Sequence, residues 1–185
     1  MIGMSEKRFG TKKLALSVVL AAAVTVSTMI IQIQIPATLG YLNFGDVMVF
    51  VSGLMFGGLI GGFAGGVGSA VADVMLGYPH YALYTLVIKG LEGFLAGQIS
   101  DGGSSIRDAA GWAAGATVMV VGYLAVQSYM FGISVALVEL PVNLVQVGCG
   151  AFIGIPVART LRKRIPIVHL IHSSGKKVRM SNGQE

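Results

Sequence analysis

Long apolar stretches dominate the pattern of hydrophobic and polar positions along this chain. Residues 14–35, 81–99, 109–130 and 133–157 are predominantly apolar, and each is close to the roughly 20 residues that a helix needs to cross a bilayer. A fifth stretch, 47–76, is too long for one ordinary span and short for two. The pattern predicts a polytopic membrane protein built from helices.

The positions of the basic residues indicate how often the chain crosses the membrane. All of them except Lys89 and Arg107 lie before residue 14 or after residue 158, and cytoplasmic flanks carry such an excess of Lys and Arg. Two cytoplasmic termini require an even number of crossings, so 47–76 should cross twice, turning at its paired glycines near Gly57. We therefore predict an all-α integral membrane protein with six transmembrane helices and both termini cytoplasmic.

This topology divides the chain into a cytoplasmic N-terminal segment (1–13), a six-helix membrane domain with an outward-facing binding pocket (14–158) and a basic cytoplasmic tail (159–185). Outside loops are predicted at 36–45, 77–80 and 131–134, and an inside loop at 100–108. From Pro166 the tail is expected to be a flexible extension or, alternatively, an amphipathic helix on the membrane surface.

Composition excludes several functional classes. Charged residues make up 11% of the chain and hydrophobic residues 54%, whereas a soluble domain carries about 25% charged residues. The net charge of +5 does not indicate nucleic-acid binding, because no basic face remains between the two ends. The sequence has no phosphate-binding loop, zinc-protease motif or nucleophile motif. We therefore expect no enzymatic activity, no cofactor and no metal site, with the lipid bilayer as a partner.

Four charged residues interrupt the apolar region between Gly40 and Gly97. Asp46 and Asp73 lie beside the predicted outer loops and are expected at the gate rather than deep. Lys89 and Glu92 are truly intramembrane, where a charge costs roughly 2.5–3.5 kcal/mol unless it is paired or hydrated. Their spacing of three places them on one helix face. They either form a mutual ion pair or contact a polar solute or a partner helix.

A polar stripe marks the last predicted helix. Glu139, Asn143 and Gln146 are spaced four and three residues apart and so share one face. Pro141 is expected in the first turn of this helix, where proline is tolerated. The stripe serves either solute contact or hydrogen bonding between helices.

Aromatic residues cluster toward the same outer surface, among them Tyr41, Tyr78 and Tyr84. They form either the usual interfacial belt or a wall that stacks on a flat heterocycle. The loop at 77–80, which contains His80, is a candidate lid. Because short, glycine-interrupted helices mark binding sites in transporters, the combination predicts an outward-facing pocket for a small polar or aromatic solute.

The first helix carries small residues at helical spacing. Ser17, Ala21 and Thr25 form the row, with Ala15 and Ala22 beside it. Small residues allow a second helix to approach closely. The row indicates either packing within the chain or docking of a separate subunit.

Several segments together resemble the substrate-binding S components of energy-coupling factor (ECF) vitamin transporters. The matching segments are GYLNFGD at 40–46, GSAVAD at 68–73, GYP at 77–79, IKGLEG at 88–93 and ELPVN at 139–143, continuing to Gln146. They occur in family order over roughly residues 11–160. The chain is most similar to the branch named for riboflavin uptake, which also holds proposed hydroxymethylpyrimidine and pyridoxine importers.

The resemblance implies a prokaryotic plasma-membrane protein that captures a vitamin from outside. A transmembrane T subunit and two ATPases would power release, and the small residues of the first helix would dock on the T subunit. The family's usual Ala-x-x-x-Ala row is interrupted here by Val19. The first loop and the 78–80 loop would form the gate. The candidate substrate-binding residues are Asn43, Asp46, Tyr78, His80, Tyr84, Lys89, Glu92, Tyr123, Gln127, Glu139, Asn143 and Gln146.

Two alternatives stay open from the sequence. The chain is either an S component or a stand-alone secondary permease for a small heterocyclic solute. The substrate is riboflavin, hydroxymethylpyrimidine or a pyridoxine-like compound, since pocket volume is not encoded in these motifs.

Overall fold

The computed structural model describes residues 2–35 and 40–164, and it is predominantly helical (88%). The elements are α1 Ile2–Ile30, β1 Gln32–Ile35, β2 Gly40–Asn43, α2 Gly45–Phe56, α3 Gly58–Met75, α4 Pro79–Ile99, α5 Ser105–Phe131, α6 Ile133–Cys149, a π-helical turn Gly150–Gly154 and α7 Ile155–Arg164. The predicted tail from Pro166 lies outside the described residues.

The predicted break between the second and third helices is confirmed. Gly57 separates α2 from α3 and has φ of 90°, a conformation that glycine adopts without steric cost. α2 has 12 residues and α3 has 18, so both are short, as predicted. The predicted turn at 131–134 is also confirmed, since Gly132, with φ of 90°, separates α5 from α6.

The first loop differs from the prediction. The first helix ends at Ile30 rather than residue 35, and β1 and β2 form an antiparallel hairpin that pairs Gln32 with Asn43 and Gln34 with Tyr41. β1 alternates Gln and Ile, a period of two that favours a strand over a helix. The predicted helical class therefore holds for most of the described chain, with this hairpin as a local exception.

The last helix is longer and less regular than predicted. The π turn Gly150–Gly154 joins α6 to α7 within one helical rod. Pro141 lies inside α6 rather than in the first turn, so that prediction is wrong, because α6 already starts after Gly132. A proline at this position removes the hydrogen bond that its N–H would donate to the Leu137 carbonyl.

The described helices suit a lipid environment. Four of them are long and apolar enough to cross a bilayer: Gly10–Ile30, Gly58–Met75, Ser105–Phe131 and Ile133–Arg164. α2 is apolar but shorter, and α4 carries Lys89 and Glu92. Large apolar side chains such as Leu59 and Phe152 are more than 80% exposed, as expected for lipid-facing positions. The chain is thus a mostly helical, multi-pass membrane protein.

Glycines bring α3 and α4 into close contact. A Cβ on Gly65 would lie 2.6 Å from the Lys89 carbonyl oxygen, and one on Gly66 would lie 2.7 Å from the Leu86 carbonyl oxygen. These distances leave no room for a side chain. The close approach of the two backbones places Lys89 at the centre of the bundle.

A polar cluster holds α7 to the end of the bundle that lies opposite the hairpin. The buried guanidinium of Arg162 contacts Asp108 at 3.1 Å, the Ser100 hydroxyl at 3.2 Å and the Leu54 carbonyl. Arg159 adds a second contact to Asp108 at 3.1 Å. The cluster therefore connects α2, α5 and α7 to the residue that follows α4.

Candidate functional site

A polar cavity lies beneath the hairpin, between α1 and the helices α3 to α6. Its volume is about 50 Å³, where one water molecule needs roughly 10–15 Å³. The lining residues are mostly polar or aromatic: Thr28, Tyr41, Asn43, Ser69, Asp73, Tyr81, Thr85, Lys89, Met119, Tyr123, Gln127, Glu139, Asn143 and Gln146. Such a concentration of polar side chains inside a membrane protein indicates a solute site rather than a packing layer.

The floor of the cavity is a buried ionic triad. The Lys89 ammonium pairs with Glu92 at 3.0 Å, which confirms the pairing predicted from their spacing. Lys89 also pairs with Asp46 of α2. Asp46 is only 1% exposed, so the expectation that it lies shallow at the gate is wrong. The ammonium of Lys89, in the middle of α4, thus lies level with the first turn of α2, where Asp46 provides a counter-charge.

Gln146 connects the triad to the hairpin. Its Nε2 donates to Asp46 Oδ1 at 3.1 Å, and its Oε1 accepts from the Asn43 backbone N–H at 3.2 Å. The Asn43 side-chain oxygen in turn accepts from the Gly45 N–H at 2.8 Å, at the start of α2. Through these bonds α6 fixes both the hairpin and the first turn of α2.

The predicted polar stripe of α6 faces the cavity. Glu139, Asn143 and Gln146 are all buried and line it. Gln127 of α5 donates through Nε2 to Glu139 Oε2. The stripe forms hydrogen bonds between helices and also borders the cavity, and contact with a solute stays a prediction.

Tyr41 closes the cavity from the hairpin side. Its hydroxyl donates to Asp73 Oδ1 of α3 at 2.6 Å. Burial, and then the adjacent Asp73 carboxylate, raise the pKa of Tyr41 well above its ordinary value, so the phenol keeps the proton that it donates. Asp73 is buried as well, and it lies near the end of α3 in contact with the hairpin, beside the predicted outer loops.

Sequence reasoning did not select Tyr41, Asp73, Tyr81 or Thr85 as site residues, although all four line the cavity. Thr85 and Tyr123 share a hydrogen bond of 3.0 Å between their hydroxyls. The charge of Asp73 marks it as notable in an apolar region, but no spacing in the sequence connects it to Tyr41 or to the candidate site residues.

Some predicted site residues lie outside the lining. Asp46 and Glu92 lie one layer behind it, in contact with Lys89. The rings of Tyr78 and Tyr41 are 5.1 Å apart, and His80 lies 4.8 Å from the ring of Tyr81. Tyr84 packs against the apolar core. Direct solute contact by these side chains stays a prediction.

The small-residue row of α1 is largely used within the chain. Ser17 and Ala21 are buried, and Thr25 donates to the Gly68 carbonyl of α3 at 2.8 Å. Ala15 and Ala22 lie on the exposed face. Packing within the chain therefore accounts for the row itself, and subunit docking by α1 stays a prediction.

Replacing Tyr41 with Phe should loosen the hairpin. Removing one partner of a buried hydrogen bond costs about 1–3 kcal/mol, and here the loss falls on the contact with Asp73. We expect faster hydrogen–deuterium exchange in 32–35 and 40–43 than in the unmodified protein. Tyr129→Phe is the matched control, because Tyr129 is 83% exposed. Equal exchange in all three proteins would show that the bond does not hold the hairpin.

The fold and the cavity together define a mostly helical, multi-pass membrane protein that encloses a polar cavity. Among the described residues, no group of three or more His, Cys, Asp and Glu side chains is arranged to hold a metal ion. The cavity lining consists mostly of hydrogen-bonding, ionic and aromatic side chains.

The chain belongs to the family of ECF-type riboflavin transporter S components, whose family model matches residues 8–163. This is a family of transporter subunits, not of enzymes. A relative from Pyrococcus woesei, described as an uncharacterized protein in the gap 3′ region, is 49% identical over 144 residues, which cover 77% of this chain and 97% of the relative. The thiamine precursor transporter HmpT of Lactococcus lactis subsp. cremoris is 30% identical over 140 residues, covering 75% of this chain and 81% of that protein.

Proposed function

We propose that this protein is the substrate-binding S component of an ECF importer and that its substrate is a small pyrimidine of the thiamine-precursor type. The observation that carries the proposal is the polar, aromatic-lined cavity beneath the hairpin. The relative from Lactococcus lactis, described as a thiamine precursor transporter, supports the choice of substrate class.

Cavity size favours a small ring over a flavin. At about 50 Å³ the cavity holds a few water molecules, so even a single ring requires the hairpin or the lining side chains to move outward. A tricyclic flavin would require displacement of several buried and mutually bonded groups, including the Gln127–Glu139 and Tyr41–Asp73 pairs. A single ring, such as a pyrimidine, requires less rearrangement than a flavin.

The proposed topology has six crossings and both termini in the cytoplasm of a prokaryotic plasma membrane. The basic residues at both ends support this orientation. Arg159, Lys163 and Arg164 of α7 then lie at the cytoplasmic surface. The hairpin and the cavity face the outside, where the substrate is captured.

Energy for transport comes from partners in this proposal: a transmembrane T subunit and two ATPases. The absence of a phosphate-binding loop from the sequence supports a separate source of ATP hydrolysis. The docking surface includes Ala15 and Ala22, which α1 exposes beside Val18, Val19 and Val26. The opposite side of α1, which carries Ser17, Ala21 and Thr25, packs inside the chain.

Isothermal titration of the purified protein in detergent tests the substrate assignment. We expect saturable binding of 4-amino-5-hydroxymethyl-2-methylpyrimidine, and much weaker binding of riboflavin and pyridoxine. Tight binding of riboflavin together with no binding of the pyrimidine would overturn the proposed substrate. It would leave the assignment to the S-component family intact.

A further inference from the structure

The cavity holds more acidic than basic groups. Asp73 and Glu139 line it, and Asp46 and Glu92 lie immediately behind. Among the described residues of the lining, Lys89 is the one side chain with an ammonium or guanidinium group. That ammonium already pairs with Asp46 and Glu92, so it is not available to neutralise an anionic ligand.

Two buried amides in the lining have hydrogen-bonding capacity that no group in the described part of the chain uses. The Gln127 side-chain oxygen and the Asn143 side-chain nitrogen are both without a hydrogen-bond partner. Gln127 is 3% exposed and Asn143 is 7% exposed. Unpaired polar atoms at this depth are uncommon in folded proteins, and each one left unsatisfied costs about 1–3 kcal/mol.

Both unpaired groups line the cavity and neighbour Glu139. Gln127 of α5 donates to Glu139, and Asn143 follows Glu139 by one helical turn on the same face of α6. The cavity thus presents an acceptor, Gln127 Oε1, and a donor, Asn143 Nδ2, on the two helices that meet at Glu139. A complementary ligand has a donor next to an acceptor on one edge.

We propose that Gln127 and Asn143 together bind an amino group and the unprotonated ring nitrogen next to it. We also propose that the pocket does not bind phosphorylated forms of the same ring. The amino group donates to Gln127 Oε1, and the ring nitrogen accepts from Asn143 Nδ2. Asp73 and Glu139 repel a phosphate, and Lys89 is already neutralised. This inference rests on the proposed function, whose substrate class it narrows to unphosphorylated amino heterocycles.

Three ligands separate the elements of the proposal in one titration series on the purified full-length protein. The first is 4-amino-5-hydroxymethyl-2-methylpyrimidine, the second its 4-oxo analogue, and the third its phosphate ester. The 4-oxo compound places a carbonyl where the amino group was and a ring N–H where the acceptor was, so its donor and acceptor are exchanged. We expect it to bind roughly tenfold more weakly or worse, since two buried bonds are mismatched. The phosphate ester should show no saturable binding.

Variants at Asn143 test the assignment of the donor. Asn143→Leu and Asn143→Asp both remove the side-chain N–H groups, and Asp preserves the shape if Leu prevents folding. Each is expected to weaken binding of the amino compound by roughly 5- to 150-fold. Gln98→Leu is the matched control, because Gln98 is an exposed amide near the opposite end of α4. It should bind as the unmodified protein does.

The outcomes distinguish this inference from the proposed function. Equal affinity for the amino and oxo compounds, tight binding of the phosphate ester, or unchanged affinity in both folded Asn143 variants would overturn the inference, while pyrimidine binding would persist. No binding of any pyrimidine would overturn both the inference and the proposed substrate.

Discussion

Lys89→Met is expected to lower the free energy of unfolding by about 3–5 kcal/mol, the range seen when one partner of a buried ion pair is removed. The ammonium of Lys89 is 4% exposed and pairs with two carboxylates, Asp46 and Glu92, that are almost fully buried. Methionine fills a similar volume without the charge. Both carboxylates would then lack a counter-charge inside the helix bundle.

The unfolding midpoint in detergent measures this effect. Lys163→Met is the matched control, since Lys163 is exposed on α7, and it should leave the midpoint nearly unchanged. Adding Asp46→Asn and Glu92→Gln to Lys89→Met should recover part of the loss, because the uncompensated charges are removed together. If Lys89→Met unfolds at the same midpoint as its control, the triad is not a structural unit of the fold.

Arg162→Met is the second substitution with a large expected effect, about 3 kcal/mol or more. Arg162 is buried and donates to Asp108, Ser100 and the Leu54 carbonyl. Without Arg162, the arginine that still contacts Asp108 in the described part of the chain is Arg159. The connection between α2, α5 and α7 would weaken at once, so α7 should separate from the bundle.

Two further variants make the Arg162 result specific. Arg162→Lys should restore little stability, because lysine lacks the planar fork of donors that reaches three acceptors. Arg164→Met changes an exposed neighbour and should be neutral. Protease sensitivity of the C-terminal region reports the separation of α7. If Arg162→Met is cleaved no faster than Arg164→Met, the cluster does not hold α7 in place.

The helical architecture could be predicted from the sequence because its signals are local. Apolar runs of bilayer length, the paired glycines at Gly57 and the polar spacing of Glu139, Asn143 and Gln146 are all read within one segment. The pairing of Lys89 with Glu92 follows from a spacing of three on one helix. The break at Gly57, the shared face of the α6 residues and the contact between Lys89 and Glu92 are all present in the structure.

The features that sequence reasoning missed depend on contacts between distant segments. Asp46 meets Lys89 across 43 positions, and Tyr41 meets Asp73 across 32. No periodicity links such pairs, so neither contact follows from the spacing within any one segment. The hairpin was missed because 32–35 is only one short alternating run beside an apolar helix.

The α1 row shows a different limit. Small residues permit close approach of any helix, whether from the same chain or from another subunit. Ser17, Ala21 and Thr25 could therefore not be assigned to packing or docking from spacing alone. The close contact of Thr25 with Gly68 depends on where α3 lies, which the α1 sequence does not encode.

Uptake of a radiolabelled aminopyrimidine into proteoliposomes tests the central claim most directly. One set of vesicles contains this chain alone, and the other contains it with a T subunit and two ATPases, each with and without internal ATP. We predict accumulation against a gradient only in the complete set with ATP, and reversible binding without accumulation for the chain alone. Accumulation by the chain alone would contradict the account and identify a stand-alone secondary permease.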